Sequence, residues 1–229
     1  MPLGDNEIIM LTNIIVADDH PLFRSALTTS LQQVLDLPNF IEAEDLNTLQ
    51  KAVESHPDTD LILLDLHMPG SEGFSALVFL VSHFPDIPVI IVSAHDDVEI
   101  IRRAMNHGAS GFLSKSSTAQ DMADAVNTVI AGGIYLKEPL PAIHENNEEE
   151  MQAASGLAAL TPQQFRVAVM VGQGLLNKQI AFELGVTEAT IKAHMTEIFR
   201  KLGVPSRTKV ALAIGQLGVL TSDSDEEFR

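Results

Sequence analysis

Five short apolar runs alternate strictly with five helical patterns in the first 131 residues, and this alternation limits the fold more than any other feature. The runs hold consecutive aliphatic residues, as in DLILL and IPVIIV, instead of alternating apolar with polar residues. Such runs are typical of strands buried on both faces of a parallel sheet that helices cover. The pattern therefore predicts an α/β domain with helices on both faces of the sheet. The predicted strands are 13–17, 40–43, 60–64, 87–92 and 111–113, and the predicted helices are 21–35, 46–55, 74–84, 98–107 and 118–131.

The remaining chain has no strand pattern and divides into three parts. Residues 137–156 (KEPLPAIHENNEEEMQAASG) are rich in charge, Pro and Asn, which is typical of a linker. Beyond them, four helical patterns predict a small all-α domain. These helices are 162–173, 177–184, 188–202 and 207–217. We therefore predict an α/β domain at 1–136, a linker at 137–156, a helical domain at 157–220 and a disordered acidic tail at 221–229.

The charge of the chain is distributed unevenly between these parts. The net charge is −17, but residues 157–220 contain seven basic and three acidic residues and carry +4, which leaves −21 elsewhere. This asymmetry indicates a basic functional module joined to an acidic partner. Random variation of surface charge is the alternative explanation.

The chain contains no cysteine, so it has no disulfide, no thiolate chemistry and no cysteine-based zinc site. The N-terminus (MPLGDNEIIM) lacks the charged-then-apolar order of a signal peptide. The most apolar stretch, 76–94, is interrupted by charged residues and prolines, which indicates helix, turn and strand and not a membrane span. These features predict a cytoplasmic protein without a membrane partner.

Polar residues follow four of the five predicted strands. Asp18 and Asp19 follow the first strand, Asp65 the third, Ser93 the fourth and Lys115 the fifth. The carboxyl ends of parallel strands joined by right-handed crossovers meet at one edge of the sheet, where ligand sites form. We therefore expect these side chains to converge, although each alone could be an ordinary polar loop residue.

The chemistry of this set is coherent. Clustered carboxylates raise one another's pKa unless a cation lies among them, and Mg²⁺ prefers oxygen ligands, with Mn²⁺ as the alternative ion. Asp65 could then act as a nucleophile and form an acyl phosphate, with the Lys115 ammonium offsetting the charge of the transferred group.

Four motifs in the first domain resemble the receiver domain of two-component response regulators. They are NIIVADDHPLF (13–23), LILLDLHMPG (61–70), IIVSA (90–94) and GASGFLSK (108–115). The resemblance implies a flavodoxin-like five-stranded sheet of order 2-1-3-4-5. It also implies a sensor histidine kinase that phosphorylates Asp65. The implied Mg²⁺ ligands are Asp18, Asp19, Asp65 and the backbone carbonyl of His67, and the implied phosphoryl-binding and switch residues are Ser93, Phe112 and Lys115. Phe112 as a plain core aromatic and His67 as an inert loop residue are the alternatives.

The helical domain contains a helix-turn-helix pattern. Gly185 and Val186 form a predicted turn, and Thr187 caps the next helix. One face of that helix is apolar and the other is basic or small, which suits entry into a major groove. A helical interaction domain with a solvated basic face is the alternative.

The segments LTPQQ, NKQIA, TEATIKAH and KLGVPSR are similar to the LuxR-type (NarL/FixJ-type) helix-turn-helix. The resemblance implies that 188–202 is the recognition helix. The implied base-facing residues are Lys192, Ala193 and Thr196, and the implied DNA-backbone contacts are Asn177, Lys178, Thr187, Thr190, Lys201 and Arg207. The chain departs from the family at Gln163–Gln164, where Arg-Glu is usual.

Together these features predict a DNA-binding response regulator and not an enzyme, beyond its own aspartyl phosphorylation and dephosphorylation. Phosphorylation is expected to draw Ser93 and Phe112 inward and to repack the face formed by residues 97–131. That change would alter dimer contacts and free the recognition helix. The predicted partners are a sensor histidine kinase, promoter DNA and a second copy of the active chain, with RNA polymerase as a further candidate. A phosphohydrolase or phosphotransferase of small substrates and a phosphorylation-independent regulator are the rival functions.

Overall fold

The computed structural model describes residues 13–35, 38–140 and 147–219, which form an α/β domain followed by a helical domain. The strands are β1 (Asn13–Ala17), β2 (Asn39–Ala43), β3 (Leu61–Leu64), β4 (Val89–Ser93) and β5 (Gly111–Ser114). The helices of the first domain are α1 (Pro21–Gln32), α2 (Leu46–Ser55), α3 (Ser75–His83), α4 (Val98–Asn106) and α5 (Ala119–Ile130). Those of the second are α6 (Glu148–Ala158), α7 (Pro162–Gly172), α8 (Asn177–Glu183), α9 (Glu188–Leu202) and α10 (Arg207–Gln216). Across the described ranges, we find no helix with the length and apolar character that a membrane crossing requires.

All neighbouring strands in the sheet are parallel, and their order is β2-β1-β3-β4-β5, which confirms the predicted topology. Successive side chains of a strand point to opposite faces. Accordingly, Ile14 and Val16 of β1 pack in a cluster with residues of α1 and α5. Ile15 and Ala17 pack on the opposite face with residues of α2, α3 and α4. The continuous apolar runs are therefore explained by burial on both faces.

Part of the predicted linker is helical. Helix α6 begins within residues 137–156, after Asn147, whose side chain accepts a hydrogen bond from the Glu150 backbone N–H at 3.3 Å. Three glutamates in its first turn stabilise the helix, because their negative charges lie near the positive end of the helix dipole. Its buried residues include Ala154 and Leu157, which join the core cluster of the helical domain. Residues 141–146 of the predicted linker, and the predicted acidic tail 221–229, lie outside the described residues.

The first two turns of helix α3 are buried on all sides because they lie between the sheet and the helical domain. All residues from Ser75 to Leu80 are buried, and α3 packs against both α6 and α7. The ring of Phe79 lies 5.0 Å from that of Phe165 on α7, between ring centroids. The two domains consequently share one continuous apolar cluster.

We predict that Phe165→Ala lowers the free energy of unfolding by about 3–5 kcal/mol, because it removes a fully buried aromatic ring at the junction of the two domains. Urea denaturation followed by far-UV circular dichroism measures this change. Phe182→Ala is the matched control: Phe182 is 84% exposed, so its loss should change the free energy by no more than about 0.5 kcal/mol. Equal effects of the two substitutions would contradict the arrangement of the core.

Candidate functional site

The acidic residues and the lysine at the strand ends converge as expected. The Lys115 ammonium lies 2.7 Å from Asp18 Oδ2 and 2.9 Å from Asp65 Oδ2, so one cation bridges two carboxylates. Asp18 directly follows β1 and Asp65 directly follows the adjacent strand β3, whereas Lys115 reaches them from the end of β5. We call Asp18, Asp19, Asp65 and Lys115 the carboxylate site.

The carboxylate site is buried and strongly polar. Asp18 and Asp65 are each only 2% exposed. Burial alone would lower the pKa of the Lys115 amine, but the hydrogen bonds and charges of Asp18 and Asp65 outweigh it and raise the pKa above its ordinary value. The other carboxylate oxygen of Asp65, Oδ1, is buried and accepts no hydrogen bond from any described residue. A buried, unpaired carboxylate oxygen is a suitable ligand for a cation.

The ligand atoms of Asp18, Asp19, His20 and Asp65 all lie within 4.8 Å of one another. Their oxygens suit a hard divalent ion such as Mg²⁺, and the orphaned Asp65 Oδ1 supports this fit. His20 was not among the predicted site residues. Its position directly after the acidic pair was the signal that could have identified it.

Arg24 is a second residue of the site that the sequence patterns did not predict. Its guanidinium is buried, with Nη1 donating to the Asp18 backbone carbonyl at 2.5 Å and Nε donating to Glu42 Oε2 at 2.8 Å. These bonds hold the loop after β1 to the edge strand β2. A lone arginine in line with Leu27 and Leu31 on the buried face of α1 was the available signal.

The predicted switch residues lie in the core near this edge. Ser93 is fully buried, and its hydroxyl accepts a hydrogen bond from the His95 backbone N–H at 3.2 Å. Phe112 is 4% exposed and belongs to the cluster on the α2–α4 face. The His67 ring has Nδ1 4.0 Å from Asp65 Oδ1, and burial lowers the pKa of His67 despite the opposing charge of Asp65. The switch roles and the metal-binding carbonyl of His67 stay predictions.

Helices α8 and α9 form a helix-turn-helix. Gly185 adopts a positive φ of 64° in the turn, and the Thr187 side chain accepts a hydrogen bond from the Thr190 backbone N–H. The predicted base-facing residues Lys192, Ala193 and Thr196 are all exposed. The α/β domain does not cover this face, which differs from the expectation that the recognition helix must be freed from the receiver.

The residues predicted to contact the DNA backbone differ in the hydrogen bonds that they already make within the helical domain. Lys178 is exposed, whereas Lys201 Nζ donates to the Ala159 carbonyl at 2.9 Å. Arg207 donates to the Leu175 carbonyl and to Asn177 Oδ1. The hydroxyl oxygens of Thr187 and Thr190 lie 3.0 Å apart and share a hydrogen bond. The DNA contacts of these residues stay predictions. To bind a DNA phosphate, Arg207 and Lys201 would have to give up the hydrogen bonds described above.

A buried ion-pair group joins the two domains. Glu150 of α6 is 5% exposed, and Arg103 Nε donates to its two carboxylate oxygens at 2.9 and 3.1 Å. His107 Nε2 lies 2.6 Å from Glu150 Oε1. Arg103 Nη2 also donates to the carbonyls of Gln216 and Gly218, each at 3.0 Å. We call Arg103, His107 and Glu150 the interdomain clamp.

The environment of the interdomain clamp favours the ionised carboxylate. Burial alone would raise the pKa of Glu150, but the hydrogen bonds from His107 and Arg103 outweigh it and lower the pKa below its ordinary value. The Arg103 guanidinium also lies 4.7 Å from the centroid of the Phe74 ring. The Phe74 backbone N–H donates to the Leu217 carbonyl at 2.9 Å, which adds a further bond across the same interface.

For the carboxylate site, we predict that Lys115→Met destabilises the metal-free protein by about 3–5 kcal/mol, because two buried carboxylates lose their cation. Added Mg²⁺ should stabilise this variant more than it stabilises the wild type. Thermal unfolding in EDTA and in Mg²⁺ measures both effects. Lys137→Met, which removes an exposed lysine paired with Asp121, should leave stability unchanged. Equal behaviour of the two variants would refute the assigned role of Lys115.

For the interdomain clamp, we predict that Glu150→Gln loosens the domain interface, because removing one charge of a buried pair costs about 3–5 kcal/mol. The matched control is Glu149→Gln, a neighbouring glutamate that contacts Gln216 at the surface. Cysteines at exposed Lys51 and Thr208 would carry spin labels in this cysteine-free chain. The interdomain distance distribution should broaden in Glu150→Gln only.

The same interface should respond to acid. The folded-state pKa of Glu150 is depressed below its ordinary value of 4.5. The stability that its charge gives the interface is therefore complete above a pH equal to that ordinary value, and it is lost as the pH falls through the lower folded-state pKa. A narrow distance distribution that persists in Glu150→Gln at neutral pH would exclude the clamp as a determinant of domain arrangement.

Two family models match the chain. Residues 14–127 match the model described as the response regulator receiver domain. Residues 158–214 match the model described as bacterial regulatory proteins of the luxR family. The two matches correspond to the α/β domain and to the helical domain of the structure.

Similar proteins match over nearly the whole length. The glycerol metabolism activator of Pseudomonas putida is 37% identical over 210 residues, covering 89% of this chain and 95% of its own. The nitrate/nitrite response regulator protein NarL of Escherichia coli (strain K12) is 30% identical over 205 residues, covering 89% and 94%. The solved structure of RcsB from Salmonella typhimurium has the same fold, with a TM-score of 0.54, 23% identity and coverage of 89% and 98%. The chain therefore belongs to the NarL/FixJ family of two-component response regulators, DNA-binding regulators of transcription with a receiver domain and a LuxR-type helix-turn-helix domain.

Proposed function

We propose that this regulator accepts a phosphoryl group on Asp65 from a sensor histidine kinase, and that phosphorylation changes how its helix-turn-helix domain engages promoter DNA. The observation that carries the proposal is the Lys115 ammonium between the buried carboxylates of Asp65 and Asp18. A nucleophilic carboxylate beside a fixed cation is suited to phosphoryl transfer, where catalysis is mainly positioning and charge stabilisation.

The chemical step balances with the groups present. An Asp65 carboxylate oxygen attacks phosphorus, the bond from phosphorus to the kinase histidine nitrogen breaks, and the leaving imidazole keeps the electron pair. Asp18, Asp19, Asp65 and the backbone carbonyl of His67 would hold Mg²⁺ or Mn²⁺, which offsets the charge of the phosphoryl group when bound. Lys115 pairs with a phosphoryl oxygen, and the Ser93 hydroxyl would donate to another.

The route to the helical domain runs through α4. Ser93 ends β4, and α4 follows after a short loop. Arg103 lies within α4 and His107 directly follows it, so both ion pairs with Glu150 are made from this helix. We propose that the inward movement of Ser93 and Phe112 shifts α4 and weakens the interdomain clamp. To shift the interdomain clamp from mostly closed to mostly open, phosphorylation must stabilise the open state over the closed state by about 5 kcal/mol. Breaking a buried ion pair costs a similar free energy.

The exposed face of α9 supplies the proposed DNA contacts. Lys192, Ala193 and Thr196 would meet base edges, and basic residues at the flanks would meet phosphates. Because this face is already exposed, we propose that the clamp controls the orientation of the helix-turn-helix domain and not its accessibility. Two copies in an active homodimer would then match two half-sites about one helical turn apart. RNA polymerase is a further proposed partner.

The test compares the wild type with Asp65→Asn and with Asp86→Asn, a substitution of an exposed aspartate before β4. Acetyl phosphate and Mg²⁺ should produce a phosphorylated species, resolved on a phosphate-binding gel, in the wild type and in Asp86→Asn but not in Asp65→Asn. Duplexes selected from a random pool should bind the phosphorylated protein more tightly and as two half-sites.

Two outcomes would refute this function in different ways. Phosphorylation of Asp65→Asn at the wild-type rate would remove Asp65 as the acceptor. Normal phosphorylation with unchanged DNA affinity and half-site spacing would identify a phosphorylation-independent regulator.

A further inference from the structure

We propose that His20 supplies an imidazole ligand to the carboxylate site, which therefore binds nitrogen-preferring divalent ions of the Zn²⁺ and Co²⁺ class in competition with Mg²⁺. The inference deepens the proposed function, since it rests on the acidic residues holding a divalent ion. It concerns the choice of ion, because a site of oxygen ligands alone suits hard ions such as Mg²⁺ and Mn²⁺.

The geometry already places the imidazole among the carboxylates. His20 Nδ1 lies 2.6 Å from Asp19 Oδ1 and 3.3 Å from Asp18 Oδ1. The His20 backbone N–H donates to Asp18 Oδ1 at 2.7 Å, which ties the residue to the loop. An ion bound tetrahedrally at about 2.0–2.2 Å separates its ligands by about 3.3–3.6 Å. The four ligand atoms lie within 4.8 Å of one another, so side-chain rotations that move the most distant pair closer by roughly 1.5 Å or less complete the site.

A second observation points to a ligand at this place. Asp65 is 2% exposed, and its Oδ1 accepts no hydrogen bond from the described part of the chain. Lys115 satisfies only the other oxygen, Oδ2. A buried carboxylate oxygen without a donor, within reach of three further ligand atoms, is the arrangement that a bound cation completes.

The donor set then decides which ions compete. Mg²⁺ retains water and gains little from an imidazole, whereas affinity for nitrogen ligands rises along the series from Mn²⁺ to Cu²⁺ and remains high for Zn²⁺. Three carboxylates and one imidazole form a complete tetrahedral set for Zn²⁺, with Asp65 as one ligand. Mg²⁺ at the same carboxylates keeps water positions that a phosphoryl oxygen can take, whereas a tetrahedral ion with four protein ligands has no open position, so Zn²⁺ should inhibit phosphorylation that Mg²⁺ supports.

The test titrates Co²⁺ into tag-free, full-length protein and follows its d–d absorption, which reports geometry and nitrogen ligation without any phosphorylation assay. Wild-type protein should show an intense tetrahedral band that Mg²⁺ displaces only at high concentration. His20→Gln should lose at least about tenfold in Co²⁺ affinity while keeping its affinity for Mg²⁺. Asp19→Asn should lower the affinity for both Co²⁺ and Mg²⁺, which would show that the two ions bind at one site.

His67→Gln is the matched control, because His67 is the other imidazole close to Asp65. Unchanged Co²⁺ spectra and affinity in His20→Gln would overturn the proposal, as would a loss confined to His67→Gln. Failure of the proposed function is separately visible: Mg²⁺-supported phosphorylation would then be absent from the wild type, whatever the Co²⁺ titration shows.

Discussion

The arrangement of this receiver depends on one buried ammonium between two carboxylates. Asp18 and Asp65 follow adjacent strands, so the parallel sheet forces their charges together in a place with little water. Like charges in such a site repel each other unless a cation lies between them. Lys115 provides that cation from the far side of β4, and Arg24 fixes the loop that carries Asp18. Under the proposed function, the same constraint that stabilises the sheet edge also positions Asp65 for phosphoryl transfer.

Local patterns predicted β1, β3 and β4 well, because burial on both faces leaves a continuous apolar run. The order of the strands is not a local property, and only the resemblance to receivers implied it. Convergence of Asp18, Asp65 and Lys115 followed from parallel topology alone. Arg24 and His20 were missed for a physical reason: their roles come from a backbone carbonyl and from carboxylate oxygens whose positions depend on the folded loop after β1.

The interdomain clamp was harder to predict, because Glu150 and Arg103 are 47 residues apart. Glu150 belongs to a run of acidic residues that resembles a solvated linker, and its burial becomes evident only when α4 lies beside α6. One signal was present in the sequence. Helix α3 reads SALVFLVSH, with apolar residues on every side, whereas a helix that covers a sheet and faces water has a polar outer face. A helix of this composition requires a second partner, which is the helical domain.

Exposure of the recognition helix changes what the interdomain clamp can control. A regulator that covers its recognition helix is inactive because the DNA cannot reach it, but here Lys192 and Thr196 are exposed while the clamp is closed. A closed clamp still fixes the direction in which α9 points from the receiver. Two fixed modules can occupy two half-sites only if their spacing equals that of the DNA grooves, whereas two loosened modules can adjust to it. Under the proposed function, the buried charge of Glu150 therefore regulates cooperativity between copies more than the affinity of either copy alone.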